Sequence, residues 1–408
     1  MSNADGRKPA AWYLASVATF MIPAGIQMVL LPYLLAIELN QPAERFGITQ
    51  MIGQLPILVF LLFGGWLADR VDPRRLLMVI QSAAIGMPLV LAVAIWRGQL
   101  SEGLLMLYAL AWGLSTAFAM PARDGLLKRV AGSNVQRMVT LAMGMQFAAM
   151  MIGQGLGGRA AHGGSIGILL VQCLVLASGV FATSRLPPSA PPLADANADP
   201  WRDSLWREFA SGLALIFSDP PMRATLLLTL GMGIFFIGGA YVVLMPLTIR
   251  DLYSGGAQDL ATGYIAFGIG SLVSIVVLTK RGGIAAPGRA LAIALLLGSC
   301  VLAWLAAAPP KWLFYVCILV WGMCGGVAMA MSRTILQERA PATHQARVMA
   351  ALALATLGGG PLGSLIMGLA VGAVGARLAV LLPVLCVALM TAAVLGTHSI
   401  WGLRSRSM

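Results

Sequence analysis

From Phe46 to Ala68 the chain carries no charged side chain, and from Leu76 to Trp96 it again carries none. About 20 consecutive apolar residues let an α-helix cross the hydrocarbon core of a bilayer. Between the two runs lies a dense charge cluster, with Asp69, Arg70, Asp72, Arg74 and Arg75 packed into seven positions. This cluster is expected to form a tight turn between two membrane helices. Its arginines should face the cytoplasm, where Lys and Arg are retained during insertion.

Composition extends that reading to the whole chain. Of 408 residues 59% are hydrophobic and only 10% charged, against about a quarter charged in soluble domains. A transmembrane barrel would show short alternating segments instead of long apolar runs. The expectation is an all-α membrane protein. The formal charge of +12 does not imply a nucleic-acid partner, because the basic residues are scattered over many short loops and form no continuous patch. They sort by membrane side instead. With the N-terminus inside, 21 of the 27 Lys and Arg fall on the cytoplasmic side, and six (Arg45, Arg97, Arg159, Arg250, Lys311 and Arg377) fall outside. Both termini are therefore expected in the cytoplasm.

The residues give little sign of chemistry. Five cysteines lie inside apolar spans with no Cys-x-x-Cys, and read as small buried hydrophobes. His162, His344 and His398 fall in loops or at span ends. No metal-ligand spacing, nucleophile elbow or phosphate loop is present, so neither an enzyme nor a cofactor is expected.

Twelve apolar spans can be counted, the first six at 11–37, 46–68, 76–96, 102–122, 138–160 and 165–184. The second six lie at 223–248, 259–279, 289–308, 312–332, 348–371 and 376–397. The first is too long for a signal-peptide core and is kept as a span. Residues 186–200, rich in Pro, Ala and Asp, read as an exposed linker. Trp201 to Phe217 reads as an amphipathic helix with Leu205, Phe209, Leu213 and Ile216 on one face. It either lies on the inner membrane surface or straps the halves together, and the strap is favoured. The division is 1–185, an N-terminal six-helix half; 186–222, a cytoplasmic linker; and 223–408, a C-terminal six-helix half. The halves repeat each other: aligning Arg137 with Arg347 brings Gly153 onto Gly363.

The turn motif resembles that of the major facilitator superfamily: Gly65, Asp69, Arg70, Arg74 and Arg75 fall in its register, with Asp72 where the family prefers Gly. Asp tolerates turn geometry, including the left-handed region. The resemblance implies twelve transmembrane helices in two pseudo-symmetric six-helix halves, a layout known for these carriers. Pro121-Ala122-Arg123 and Gly360-Pro361-Leu362-Gly363-Ser364, with the Leu-Gln and Arg-Val residues before it, are similar to the subgroup of enterobactin-type siderophore exporters and macrolide efflux pumps.

By the same resemblance Asp69 approaches a helix N-terminus across the seam between halves and lies near Arg123, so that Gly65, Asp69, Arg70, Arg74, Arg75 and Arg123 form an inner latch. The alternative is a helix-end Asp paired only with Arg70 or Arg74. A central cavity is expected between spans one, four, seven and ten. Its polar and aromatic candidates are Thr19, Gln27, Trp112, Ser115, Thr116, Phe235, Phe236, Tyr241, Tyr315 and Trp321, about half of which are expected to pack against neighbouring helices instead. None of the fifteen carboxylates lies at mid-membrane. Only Glu38, Asp251 and Asp259, near the outer face, are placed to titrate, so proton exchange rests on the resemblance alone. Gln154, in the run Gly153 to Gly158, replaces the proline of the antiporter-associated motif and weakens that expectation further. The expected function is a monomeric secondary carrier of an inner membrane. It works in the lipid bilayer by alternating access and exports a hydrophobic or amphiphilic small molecule of drug or siderophore type, with protons as the coupling ion the family suggests. The alternatives are a metabolite importer and a non-transporting scaffold or sensor.

Overall fold

The computed structural model describes residues 7–131, 135–187, 201–281, 284–341, 344–396 and 400–403. Among them every regular element is helical. This is what a lipid environment imposes, because only a helix or a closed barrel satisfies its own backbone groups there. The first half runs α1 (Arg7–Pro32), extended by a π-helical turn (Tyr33–Glu38), then α2 (Ala43–Arg70), α3 (Pro73–Trp96), α4 (Glu102–Ala131), α5 (Val135–Gly157) and α6 (Ala160–Ser184). Next comes α7 (Trp201–Ser218). One long rod follows, made of α8 (Pro220–Gly231), a π-helical stretch (Met232–Leu244) and α9 (Met245–Tyr253). The chain closes with α10 (Ala257–Lys280), α11 (Pro287–Leu305), α12 (Lys311–Arg339), α13 (Gln345–Ala379) and α14 (Leu381–Gly396). Ten of these rods are long and apolar enough to cross a membrane. With α2 and the shorter α14 they make up twelve.

Local chemistry sets the helix starts. Asp72 caps α3 by accepting from the Arg74 N–H at 3.1 Å, with Pro73 in the first turn. Asp219 does the same for α8, accepting from the Met222 N–H at 3.3 Å ahead of Pro220. A carboxylate cap followed by proline satisfies one orphan donor and removes another. Asp72 sits at φ −58°, so the turn needs no left-handed residue.

The left-handed residues cluster elsewhere, and they repeat. Asn40, Gly98 and Gly164 have φ of 46°, 67° and 74°; Ser254, Ala308 and Gly375 have 46°, 49° and 78°. The pairs are spaced by 214, 210 and 211 residues. Asn40, Gly98, Ser254 and Ala308 lie in connections after odd-numbered spans, and Gly164 and Gly375 form kinks inside α6 and α13. The turns on one face of the chain are therefore copied between halves even where the residue is not.

The chain divides into two compact units: 1–41 with 52–198 and 255–262, and 42–51 with 199–254 and 263–408. In unit 1, α1 packs on α5 and α6, and α3 on α4 and α6. In unit 2, the π-helical stretch packs on α13, and α11 on α12 and α14. These are the same pairings one half later. The first turns of α2 belong to unit 2, where Gly47 lies against Gly368 of α13. The start of α10 belongs to unit 1, where Gly158 faces the Ala261 methyl. Small residues let helices approach this closely where lipid supplies no hydrophobic drive.

Helix α7 is docked on unit 2. Its Ile216 is fully buried with Met222, Leu336 and Val348, and Ser211 accepts a hydrogen bond from Arg347 at 3.1 Å. Residues 188–200 of the expected linker lie outside the described residues, as do the side chains of residues 201–209.

Candidate functional site

Unit 1 buries four amides beside a few hydroxyls. Gln27, Gln81, Gln154 and Gln172 are all buried. Gln172 accepts from the Tyr108 hydroxyl at 3.0 Å. Gln81 accepts from Thr183, which itself meets Ser16 at 2.8 Å. Among the described residues each of the four keeps one amide atom without a partner: Gln27 Oε1, Gln154 Oε1, Gln81 Nε2 and Gln172 Nε2. Buried polar atoms are normally bonded, and these four amides are polar points within the packed helices of unit 1. Gln27 and Gln154 sit on the tightest helix pair of the unit, α1 on α5, where Gly25 and Gly153 let the backbones touch.

The other cavity candidates of unit 1 are less available. Thr19 bonds the Ala15 carbonyl at 2.9 Å and lies against Gly179 of α6. Ser115 and Thr116 return their hydroxyls to the Ala111 and Trp112 carbonyls of their own helix. Trp112 stacks on Phe20 at 5.7 Å.

At the end of unit 1 where α1 begins, a cleft of about 320 Å³ opens between α1, α4 and α5. Tyr13, Arg123, Asp124 and Gln146 are its polar lining; Val17, Leu127, Val139, Ala142 and Met143 are the rest. Arg123 donates to Gln146 Oε1 at 3.3 Å, and its carbonyl accepts from the Tyr13 hydroxyl at 3.4 Å.

Unit 2 carries aromatics instead. Trp321, 2% exposed, meets Phe236 edge-on at 5.8 Å and Phe267 at 5.0 Å. Tyr241 lies 4.5 Å from Phe267 and 5.1 Å from Tyr264. Phe236 and Tyr241 come from the π-helical stretch, a wound-out form often found at functional sites. Of the candidates read from sequence, Phe236, Tyr241 and Trp321 are brought together. Tyr315 packs on Phe314 at 5.5 Å, and Phe235 is half-buried. Sequence reasoning missed Tyr264 and Phe267. Their spacing on one face of α10 was the available signal.

The turn residues divide. Arg74 reaches the carbonyls of Thr183 and Ser184 at the C-terminus of α6. Arg75 stands 4.0 Å from Asp72, and Arg70 ends α2 exposed but engaged. The side-chain surroundings of Gly65 and Asp69 lie outside the described residues. The three carboxylates named as proton candidates each have a local donor: Glu38 takes the Ser165 hydroxyl at 3.3 Å, Asp251 the Arg250 guanidinium, and Asp259 the Gly256 N–H at 2.9 Å.

The family model for the Major Facilitator Superfamily matches residues 13–364. Among solved structures, the nucleoside transporter NupG aligns with TM-score 0.76 at 12% identity, over 95% of this chain and 98% of that one. A bacterial homologue of the human lysosomal transporter Spinster aligns at 0.67 and 14%, over 98% of each chain. A bacterial homologue of the human drug peptide transporters PepT1 and PepT2 aligns at 0.67 and 13%, over 96% of this chain and 98% of that one. No curated protein matches in sequence. At such identities the likeness carries the fold and leaves the solute to be read from the site.

Proposed function

Since the chain belongs to the major facilitator superfamily and is a multi-pass membrane protein, we propose that it is a secondary carrier of an inner membrane that exports a hydrophobic or amphiphilic small molecule. The two six-span halves, 1–185 and 223–408, rock about a solute held between them, with both termini in the cytoplasm. The observation that carries the choice of solute is an interior of buried amides in unit 1 and an aromatic cluster around Trp321 in unit 2. Aromatic faces and a few amide dipoles bind organic bodies well and bare ions poorly, because an ion needs compensating charge in a low dielectric. Export agrees with the likeness of the Pro121 and Gly360 regions to siderophore and macrolide exporters.

Proton antiport is the coupling proposed, with Glu38, Asp251 and Asp259 as the groups that exchange. Their present donors are a hydroxyl, a guanidinium and a backbone N–H. The latch of Gly65, Asp69, Arg70, Arg74, Arg75 and Arg123 closes the inner side. The chain acts as a monomer, since one polypeptide supplies both halves.

The test is flux in reconstituted vesicles of defined orientation. Inside-out vesicles should accumulate an amphiphilic solute from a compound panel when a proton gradient is imposed, and lose that accumulation with a protonophore. Accumulation only in right-side-out vesicles would assign import. Absence of flux for the whole panel under every gradient would end the transport reading.

A further inference from the structure

Three stretches of unit 2 converge at one end of its rods. Helix α10 stops at Lys280, α11 starts at Pro287, and after α14 the chain returns to the start of α11 at residues 400–403. Both α10 and α11 are long and apolar enough to cross a membrane, so the connection between them lies at the level of the lipid headgroups. The returning chain is seated there. Ile400 is fully buried, and a methyl on Gly288 would run into the Ile400 carbonyl. Arg289 donates from Nε to the Trp401 carbonyl at 3.0 Å, and its guanidinium stands over the Trp401 ring at 5.2 Å. Both side chains are exposed, Trp401 by 40%. The charge at this corner is of one sign. Lys280, Arg281 and Arg289 are exposed, and among the described residues the bond to the Trp401 carbonyl is the one hydrogen bond their side chains make. Arg404 and Arg406 follow in the sequence, outside the described residues. Neither 260–337 nor 339–408 contains an Asp or a Glu. Other acids of unit 2 belong to other places: Asp219 pairs with Arg339, Asp251 with Arg250, Glu338 is engaged at the end of α12, and Asp203 and Glu208 lie on α7, which packs on α8 and α13.

We propose that this corner docks the headgroup of an anionic phospholipid. The lipid phosphate takes the terminal nitrogens of Arg289, whose Nε is already engaged by the Trp401 carbonyl; a guanidinium has five N–H donors and binds phosphate through its planar fork. Trp401 beside it is the amphipathic ring that membrane interfaces favour. Lys280 and Arg281 have long stems that carry their charge to the headgroups from a helix end, and with the two tail arginines they make a cluster of the size that attracts acidic lipid. A zwitterionic headgroup brings its own cation into this field, and an anionic one does not. The occupant is a lipid and not a soluble phosphate, because two membrane-crossing rods deliver the patch to the bilayer surface and Trp401 offers apolar contact that a bare phosphate cannot use. A seated headgroup joins the α10–α11 connection to the returning chain. The dock is separate from the solute path and stands independently of the transport reading.

The experiment is hydrogen exchange of the full chain in nanodiscs of phosphatidylcholine, with and without phosphatidylglycerol of the same acyl chains. Amides of 282–290 and 400–408 should exchange about fivefold or more slowly with the anionic lipid, the factor that one cation engaged at such a surface supplies. The difference should shrink as salt rises. Residues 97–101, a connection of unit 1 that carries the exposed Arg97, should show no lipid difference. Arg289→Gln should remove most of the difference, and Arg289→Lys should keep part of it, since a point charge replaces a fork. Lys280→Gln with Arg281→Gln leaves the Arg289–Trp401 contact in place and should reduce the difference. Each variant is compared with itself in the two lipids, so a chain end merely loosened by the substitution does not count as support. Equal exchange of wild type in both lipids would overturn the dock, and so would a full lipid difference in Arg289→Gln. If Arg289→Gln fails to fold, an undiminished difference in the Lys280 and Arg281 double variant decides against it. Glycerol phosphate that slows the same amides in phosphatidylcholine alone would assign the site to a soluble phosphate ester and overturn the lipid.

Discussion

A methyl group built on Gly25 would stand 3.0 Å from Cα of Gly153, and one built on Gly153 would stand 3.0 Å from Cα of Gly25. The two helices meet backbone to backbone, with the carbonyls of Ile22 and Met150 closer still to the added carbons. One half later Gly363 is wedged in the same way against Ile234 and Gly239.

Gly153→Ala must therefore push α5 off α1. Overpacking a close-packed site costs about 1–3 kcal/mol, and thermal denaturation in detergent should fall accordingly. Gly155→Ala is the control. No atom lies within 4 Å of the added carbon, so this change should be neutral or raise stability by about 0.5–1 kcal/mol through helix propensity.

Arg74 and Arg75 are neighbours with different work. Arg74 closes the C-terminal carbonyls of α6 from 109 and 110 residues away, where a cation also meets the negative end of the helix dipole. Arg74→Gln should cost about 1–2 kcal/mol. Arg75→Gln should change melting within error, since its pair to Asp72 is 4.0 Å long and its side chain 81% exposed. Equal losses at both positions would show that the charge of the turn matters and the cap does not.

Ala308 adopts φ 49° where its counterpart Gly98 has 67°. An L-residue with a Cβ pays roughly 1–2 kcal/mol in that region. Ala308→Gly should raise the melting temperature slightly, because relief of strain exceeds the added chain entropy, and Gly98→Ala should lower it. Melting of both variants checks the sign.

Within the aromatic cluster Tyr241 is half-buried and Trp321 is fully buried. Tyr241→Ala should weaken solute binding severalfold while the protein still inserts and remains monodisperse. Trp321→Ala should cost about 3–5 kcal/mol and impair folding itself. Unchanged transport kinetics in Tyr241→Ala would remove the cluster from the solute path.

Asp69→Asn tests the latch. Vesicle transport should drop while membrane insertion stays at wild-type level; full transport in this variant would refute a gating role for the turn.

Much of the site was hidden in the sequence for one reason. In a water-soluble helix the apolar stripe marks the buried face. Here lipid-facing and protein-facing sides are both apolar, so hydropathy does not say which way Gln27 or Tyr241 points. Phe236, Tyr241 and Trp321 were found because large aromatics on the expected spans are few. Tyr264 and Phe267 were missed because their span, α10, was not among the four expected to line the cavity. Arg123 was named by the family resemblance, yet its described partner is Gln146 of α5, which nothing in the linear pattern singled out.

The sequence alone determined that this chain is a set of membrane-crossing helices in two related halves. Crossing a bilayer is a property of one segment at a time: enough apolar length, and a backbone that bonds to itself. Packing is a property of pairs of segments. Only the tertiary structure decided that Gly25 meets Gly153, that Arg74 caps a helix more than a hundred residues away, and that Arg123 opens onto a cleft. Those outcomes depend on the rotation of each rod about its own axis, which van der Waals fit and a few buried polar contacts set and hydropathy does not record.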